Sequence, residues 1–338
     1  MFLIDKKKYG SGIIPSRTSN RKGESRMKKS TNFDINRQTW WAKTGELPVP
    51  MTNDYMFKAV CQKDEAALRS LISAVLHIEA EDIKSTHICN PILVGKAIDE
   101  KEYVLDTKVE LNNQIMLDLE LQVINYKDWP ERSLQYLCRM FDALHHGDKY
   151  EDTKGAMHIG ILSFKLHEDS RLLESYLLMD SLTHRLYTNK FQLHILTLPK
   201  ADVPEKEDVR YHTDVWARYF AATTWEDLKM LAEKDEGIAS AIETTQSLWE
   251  EDDVRARAIA RDDFIRRQKT QQAALEDAEG RLAKAEARIM QAEDRASQAE
   301  DRASQAEDRA TQAEDRAAAA EAENRRLREE LKKYQKKS

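Results

Sequence analysis

The chain has 338 residues, with 53 Lys+Arg against 60 Asp+Glu, a net charge of −7 and only 7% aromatic residues. That length accommodates roughly two domains of ~150 residues each, and the acidic balance argues against a broad nucleic-acid surface, so any such contact must come from local basic patches. Three widely spaced cysteines (Cys61, Cys89 and Cys138) exclude a disulfide framework and a zinc signature and point to a reducing cytoplasm; no run approaches the ~18 apolar residues of a membrane span, and the first five residues lack the apolar core of a secretory signal.

Residues 1–47 are rich in Lys, Arg, Ser and Gly and show no apolar period, so they read as a disordered basic arm. The plain reading is a solvated tail; the sharper one is an accessory contact to phosphates. Trp40 and Trp41 are the residues expected to anchor its end to the folded part. From residue 52 to 77 the pattern becomes helical, in two pieces. Ala67, Leu68, Leu71, Ile72, Val75 and Leu76 form an apolar stripe at helical spacing.

Two strands are predicted over 103–111 and 114–123, joined by Asn112-Asn113, residues that tolerate the positive φ of a hairpin turn. A helix follows over 131–144, with Gly147 as its stop. Residues 156–164 are a continuous apolar run of strand length, as a buried central strand requires. Further strands are predicted over 172–179 and 191–198, ended by Pro199. Residues 225–249 read as one amphipathic helix, and 255–272 as a charged helix without a strong apolar face. The order is that of a mixed α/β fold.

The last part is a heptad array. Gln-Ala-Glu-Asp-Arg-Ala occurs four times, from Gln291, Gln298, Gln305 and Gln312. One apolar series runs Leu275, Leu282, Ile289, then Ala296 to Ala317, Asn324 and Leu331; the other runs from Ala278 to Ala320, then Leu327 and Tyr334. These are the a and d positions of a coiled coil. Glu300 and Asp301 have no base four residues on, so the charges do not stabilise a lone helix. They fall instead with Glu at e and Arg at g. In a parallel pair Arg302 then meets Glu307 of the other chain, whereas an antiparallel pair would bring like charges together. The pattern predicts a parallel homodimer through residues 275–334. Asn324 at an a position fixes register at some cost in stability.

The chemistry lies on the second strand of the hairpin. Leu117, Leu119 and Leu121 point to one face; Asp118, Glu120 and Gln122 point to the other. A leucine face belongs to a core. Carboxylates clustered on the opposite face repel one another unless a divalent cation sits between them, and Leu105-Asp106 places a further acid on the neighbouring strand.

Asn53-Asp54-Tyr55-Met56-Phe57-Lys58, Leu105-Asp106, Glu120-Leu121-Gln122, then Arg132 and Tyr136, and Leu231-Ala232-Glu233-Lys234-Asp235 occur in this order. Together they resemble the Rpn family, recombination-promoting nucleases also called PD-(D/E)XK nuclease family transposases, over about residues 50–255. The resemblance implies a restriction-endonuclease-like α/β core, a mixed sheet flanked by helices. The expected partition is a basic arm over 1–47, a nuclease-like domain over 48–255, a helical linker over 256–273 and a parallel coiled coil over 274–336.

The resemblance further implies that Asp106 and Glu120 are the two metal-binding carboxylates, that Gln122 stands where the wider superfamily has a lysine, and that Mg2+, with Mn2+ as substitute, activates water for DNA phosphodiester hydrolysis. A neutral Gln can hydrogen-bond a water but supplies no positive charge. Asp118 is a candidate for a second metal or for hydrogen bonds behind the ligands; taken alone it reads as a solvated charge at a sheet edge. Arg132 and Tyr136, one helical turn apart, are candidates to contact phosphate or buttress Glu120, against the plain reading of a helix face with a snorkelling Arg. Lys127 and Arg139 are further phosphate candidates. Asp54 and Lys58 match the family's first helix, where capping by Asn53 or Asp54 is an equal reading. His145-His146 reads as structural. Two functions are thus in competition: a Mg2+-dependent DNA endonuclease linked to recombination or mobile elements, and a non-catalytic oligomeric DNA-binding or scaffold protein on a degenerate nuclease fold. A glycosidase reading lacks the aromatic surround of a sugar site.

Overall fold

The computed structural model of the chain describes residues 39–89, 107–141 and 149–335. The chain divides into two units, one reaching to Lys269 and the other starting at Thr270.

The first unit is built on α1 (Asp54–Lys63), α2 (Glu65–Leu76), β1 (Thr86–Ile88), β2 (Thr107–Leu111), β3 (Ile115–Gln122), α3 (Trp129–Phe141), β4 (Gly155–Leu162), β5 (Leu173–Met179) and β6 (Leu186–Thr197). After these come α4 (Lys206–Arg210), α5 (Thr213–Ala221), α6 (Trp225–Ala232), α7 (Glu236–Glu250) and the base of α8 (Asp252–Gln335). The six strands form one mixed sheet in the order β1-β2-β3-β4-β6-β5. β3, β4 and β6 are parallel, while β1, β2 and β5 run antiparallel to their neighbours. This is the α/β class expected, with helices on both faces.

Local chemistry explains the elements. Asn112 and Asn113 take left-handed φ values of 52° and 56° in the β2–β3 turn. The Asn112 side chain also accepts from the Lys84 and Ser85 N–H groups, which ties the turn to the chain leading into β1. Asn53 caps α1 by accepting from Met56 N–H at 3.0 Å, and Asp64 caps α2 by accepting from Ala67 N–H at 2.9 Å. β3 pairs with β4 so that Leu117 faces Met157 and Asp118 faces His158. Leu117, Leu119 and Leu121, with Met157, Ile159 and Ile161, enter the main core beside Leu68, Leu71 and Ile72 of α2. The opposite face is covered by α3, whose Leu137 and Met140 pack with Ala156, and whose Trp129 packs with Leu162 and Ile195.

Three details depart from the sequence reading. Packing begins before residue 48, because Trp40 is fully buried in the core. Residues 225–249 are two helices, because Asp235 accepts from Ile238 N–H and starts a new helix after α6. The helix over 255–272 is no free linker. Val254, Ala258 and Ile265 are buried, Asn53 Nδ2 donates to Ala258 O at 2.8 Å, and Arg261 grips both oxygens of Asp54. Its buried side is short and partly polar, so a scan for an apolar stripe misses it. Gly147 and His145-His146 lie outside the described residues.

In the second unit, α8 continues as helix to Gln335. Leu275, Leu282, Ile289, Leu327 and Leu331 are all exposed. Its ion pairs among the described residues lie toward its ends, Arg281 with Asp277 and Arg325 with Glu321, outside the Gln-Ala-Glu-Asp-Arg-Ala repeats.

One packing contact gives a pH signature. His212, in left-handed conformation ahead of α5, lies with Nδ1 2.8 Å from Asp235 Oδ2. Its hydrogen bond to Asp235 raises its pKa above the ordinary 6.5, against partial burial. Burial pushes Asp235 up, but hydrogen bonds from His212, Ile238 N–H and Ser70 outweigh it and hold its pKa below the ordinary 3.8. The His212 contribution to stability is therefore complete below pH 6.5 and is lost as pH rises through the raised value. The Asp235 contribution is complete above pH 3.8 and is lost as pH falls through the depressed value. Thermal melts of His212→Gln should lie a few °C at most below wild type at pH 5.5, because the ring is half-exposed, and should converge with wild type in mildly alkaline buffer.

Candidate active site

Two strands and one helix bring the polar groups together. β3 supplies Asp118 and Glu120, two residues apart and so on one face. β4 supplies His158 by register, opposite Asp118. Asp118 and His158 are 0% exposed and Glu120 is 5% exposed, so all three are desolvated. Asp118 Oδ2 lies 2.9 Å from His158 Nδ1, and Glu120 Oε2 lies 3.8 Å from His158 Nε2. The first turns of α3 close the site. The imidazole has two aromatic neighbours, Trp129 with ring centroids 5.5 Å apart and Tyr136 stacked at 5.9 Å. Arg132 Nη2 meets Glu120 Oε1 at 2.6 Å and its guanidinium lies over the Tyr136 ring. Burial alone would make that guanidinium easier to deprotonate; the Glu120 carboxylate and Tyr136 more than compensate, so its pKa is raised.

Gly160 makes this arrangement possible. It pairs with Glu120 across the strands, and a Cβ there would lie 2.1 Å from Trp129 Cζ2. The indole occupies the space that any other residue would fill.

The donor set suits a divalent cation. Ligand atoms of Asp118, Glu120 and His158 lie within 4.8 Å of one another. Asp118 Oδ1 and His158 Nε2 are buried and make no hydrogen bond. Two carboxylates and an imidazole, with unsatisfied buried atoms on Asp118 and His158, fit a cation better than they fit a plain core.

The predicted residues are distributed as follows. Glu120, Asp118, Arg132 and Tyr136 are brought together. Asp118 is no solvated edge charge, because β4 and α3 bury it. Gln122 lies beyond them on β3, at a cleft also lined by Asp54, Tyr126, Arg132, Arg261 and Phe264. Its Nε2 donates one of its two hydrogens to Ile124 O at 2.9 Å. Asp54 is held by Arg261 at 2.5 Å and lines the Gln122 cleft, and Lys58 is buried in α1. Arg139 lines a neighbouring cleft with Arg132 and Tyr136, while Lys127 is exposed, with positive φ, in the loop before α3. Asp106 lies outside the described residues, immediately before β2.

His158 is absent from the sequence reading. It sits inside a run taken as uniformly apolar. The signal was its parity: a lone His at 158 and a bare Gly at 160 share one face of an otherwise aliphatic strand.

The model of the PD-(D/E)XK nuclease family transposases matches residues 51–269, well over half of the chain. No curated protein matches, and no solved structure matches.

Proposed function

This chain belongs to the PD-(D/E)XK nuclease family transposases, and we propose that it is a metal-dependent DNA endonuclease that hydrolyses phosphodiester bonds in the service of recombination or mobile elements. The observation that carries this reading is Glu120: a desolvated carboxylate on a central strand, oriented by Arg132 and set among Asp118 and His158 within the family-matched segment. Asp106 and Glu120 would hold the cation, taken as Mg2+ with Mn2+ as substitute. When bound, such a cation lowers the pKa of a water and offsets phosphate charge.

The chain's own residues then have assignable work. Arg132 fixes the Glu120 rotamer and places positive charge at the wall of the Gln122 cleft. Gln122, with one of its two amide hydrogens on Ile124 O, keeps Oε1 to accept from a water. Arg261 lines the same cleft, with its guanidinium bound to both Asp54 oxygens. The test is nicking of supercoiled plasmid in Mg2+ and Mn2+, its loss in EDTA and its loss in Glu120→Gln.

A second reading, a DNA-binding scaffold without catalysis, is favoured by one observation. Gln122 replaces the superfamily's lysine and donates to backbone, so the site has no cation at that position. Binding of DNA without cleavage in any metal would select it.

We also propose that residues 275–334 form a parallel homodimer, that the basic residues of the segment 1–47 add phosphate contacts, and that the protein works in the cytoplasm. No described helix is long and apolar enough to cross a membrane. The exposed a and d side chains are expected to pair, since burying each Leu or Ile contributes ~1.5–3 kcal/mol and each Ala layer less. Sedimentation of the full chain should give a dimer at micromolar concentration. Leu275→Asp combined with Leu282→Asp and Leu331→Asp should give a monomer with the sheet domain's melt unchanged. A wild-type monomer would sink the proposal.

A further inference from the structure

We propose that His158 is a metal ligand, its Nε2 and Glu120 Oε2 together holding a divalent transition ion such as Mn2+ while Asp118 orients the ring through Nδ1. This deepens the metal-dependent reading above and rests on it.

The argument starts with the tautomer. Asp118 Oδ2 is 2.9 Å from Nδ1, so the proton belongs on Nδ1 and the lone pair on Nε2. A carboxylate behind the distal ring nitrogen is the usual support of a metal-bound histidine, because it fixes the ring and raises its basicity. Trp129 and Tyr136 both pack near the ring, Tyr136 parallel to it. Nε2 is buried, makes no hydrogen bond, and faces Glu120 Oε2 at 3.8 Å. Two ligand atoms each ~2.1 Å from one ion can lie up to ~4.2 Å apart, so one cation can touch both. Asp118 Oδ1, also without a hydrogen bond, is a further oxygen donor beside them.

Charge points the same way. Asp118 and Glu120 bring two carboxylates into a buried place beside His158, while the Arg132 guanidinium that meets Glu120 is about a third exposed. A cation offsets the carboxylate charge. The choice of cation follows from the nitrogen. Mg2+ takes oxygen ligands, whereas imidazole suits the first-row ions from Fe2+ to Zn2+; Mn2+, the oxygen-favouring member of that row, serves as the paramagnetic probe of the site. The site is thus built for a softer ion than a carboxylate pair alone would select.

The test is Mn2+ binding by the full-length protein, read by titration and by electron spin-echo envelope modulation. Wild type should show nitrogen modulation from a coordinated imidazole. His158→Gln should lose that modulation and weaken Mn2+ binding on the order of tenfold or more, while Mg2+ binding changes little. Asp106→Asn should keep the nitrogen signal, which separates this site from one built on the Asp106 carboxylate. Bound Mn2+ without nitrogen modulation in wild type, or no bound Mn2+ at all, overturns the assignment whether or not His158→Gln folds. Plasmid cleavage is scored separately. Nitrogen-coupled Mn2+ without cleavage leaves the ligand assignment standing and removes the nuclease reading; Mg2+-dependent cleavage without nitrogen-coupled Mn2+ does the reverse.

Discussion

Glu120→Gln is expected to reduce metal-dependent plasmid nicking by on the order of 10²–10³-fold or more, with the protein still folded. The substitution keeps the shape of the side chain and one acceptor for Arg132, which sits 2.6 Å from Glu120 Oε1. What it removes is the charge that a cation needs from this face of β3. Asp118 does not replace it, because its Oδ2 is bonded to the His158 ring at 2.9 Å and only Oδ1 is left for a cation. Asp106→Asn should cause a loss of similar size if the family's carboxylate pair operates here. The comparison is initial nicking rates in Mg2+ and Mn2+, with thermal melts of each variant as a folding control. Undiminished nicking in Glu120→Gln would move the chemistry off β3.

Gly160→Ala is expected to be the most damaging small substitution in the sheet. The added methyl would lie 2.1 Å from Trp129 Cζ2 and 2.6 Å from Cη2, inside any real contact distance. Neither side yields easily. β4 is buried along its length and hydrogen-bonded on both edges, and Trp129 is buried between the sheet and its own helix. Overpacking of this kind typically costs ~1–3 kcal/mol. At roughly 2–4 °C per kcal/mol for a domain of this size, the melt should fall by several degrees. Trp129 also flanks His158, so the ring that Asp118 holds would shift with the indole. Stability and nicking should therefore fall together. Gly280→Ala is the control, because nothing lies within 4 Å of its added Cβ. It should leave nicking untouched and, in a helix interior, stabilise by about 1 kcal/mol.

Much of this protein is written in short-range periodicity. The alternation of β3 assigned Leu117, Leu119 and Leu121 to the core and Asp118 and Glu120 to the other face before any neighbour was known. The same spacing logic identified the α2 stripe and the Asn112-Asn113 turn. The seven-residue repeat of the tail was equally plain from its alanines and leucines. Each of these readings depends on residues within about two turns or a few strand positions of one another, where backbone geometry alone dictates which side chains share a face.

Tertiary structure decided the rest. Asp118 is buried only because α3 lies over it and β4 runs beside it. His158 meets it across 40 residues of chain, through the parallel register of two strands joined by a crossover. Asp54 matches the family's first helix in sequence, but its partner Arg261 lies 207 positions away. The base of α8 reads as a linker because the groups that hold it, Asn53 and Asp54, lie at the other end of the domain. Local sequence determines faces, turns and caps. Which faces meet is set by strand order and long-range packing, and in this protein the desolvated carboxylate–imidazole cluster exists only after they have met.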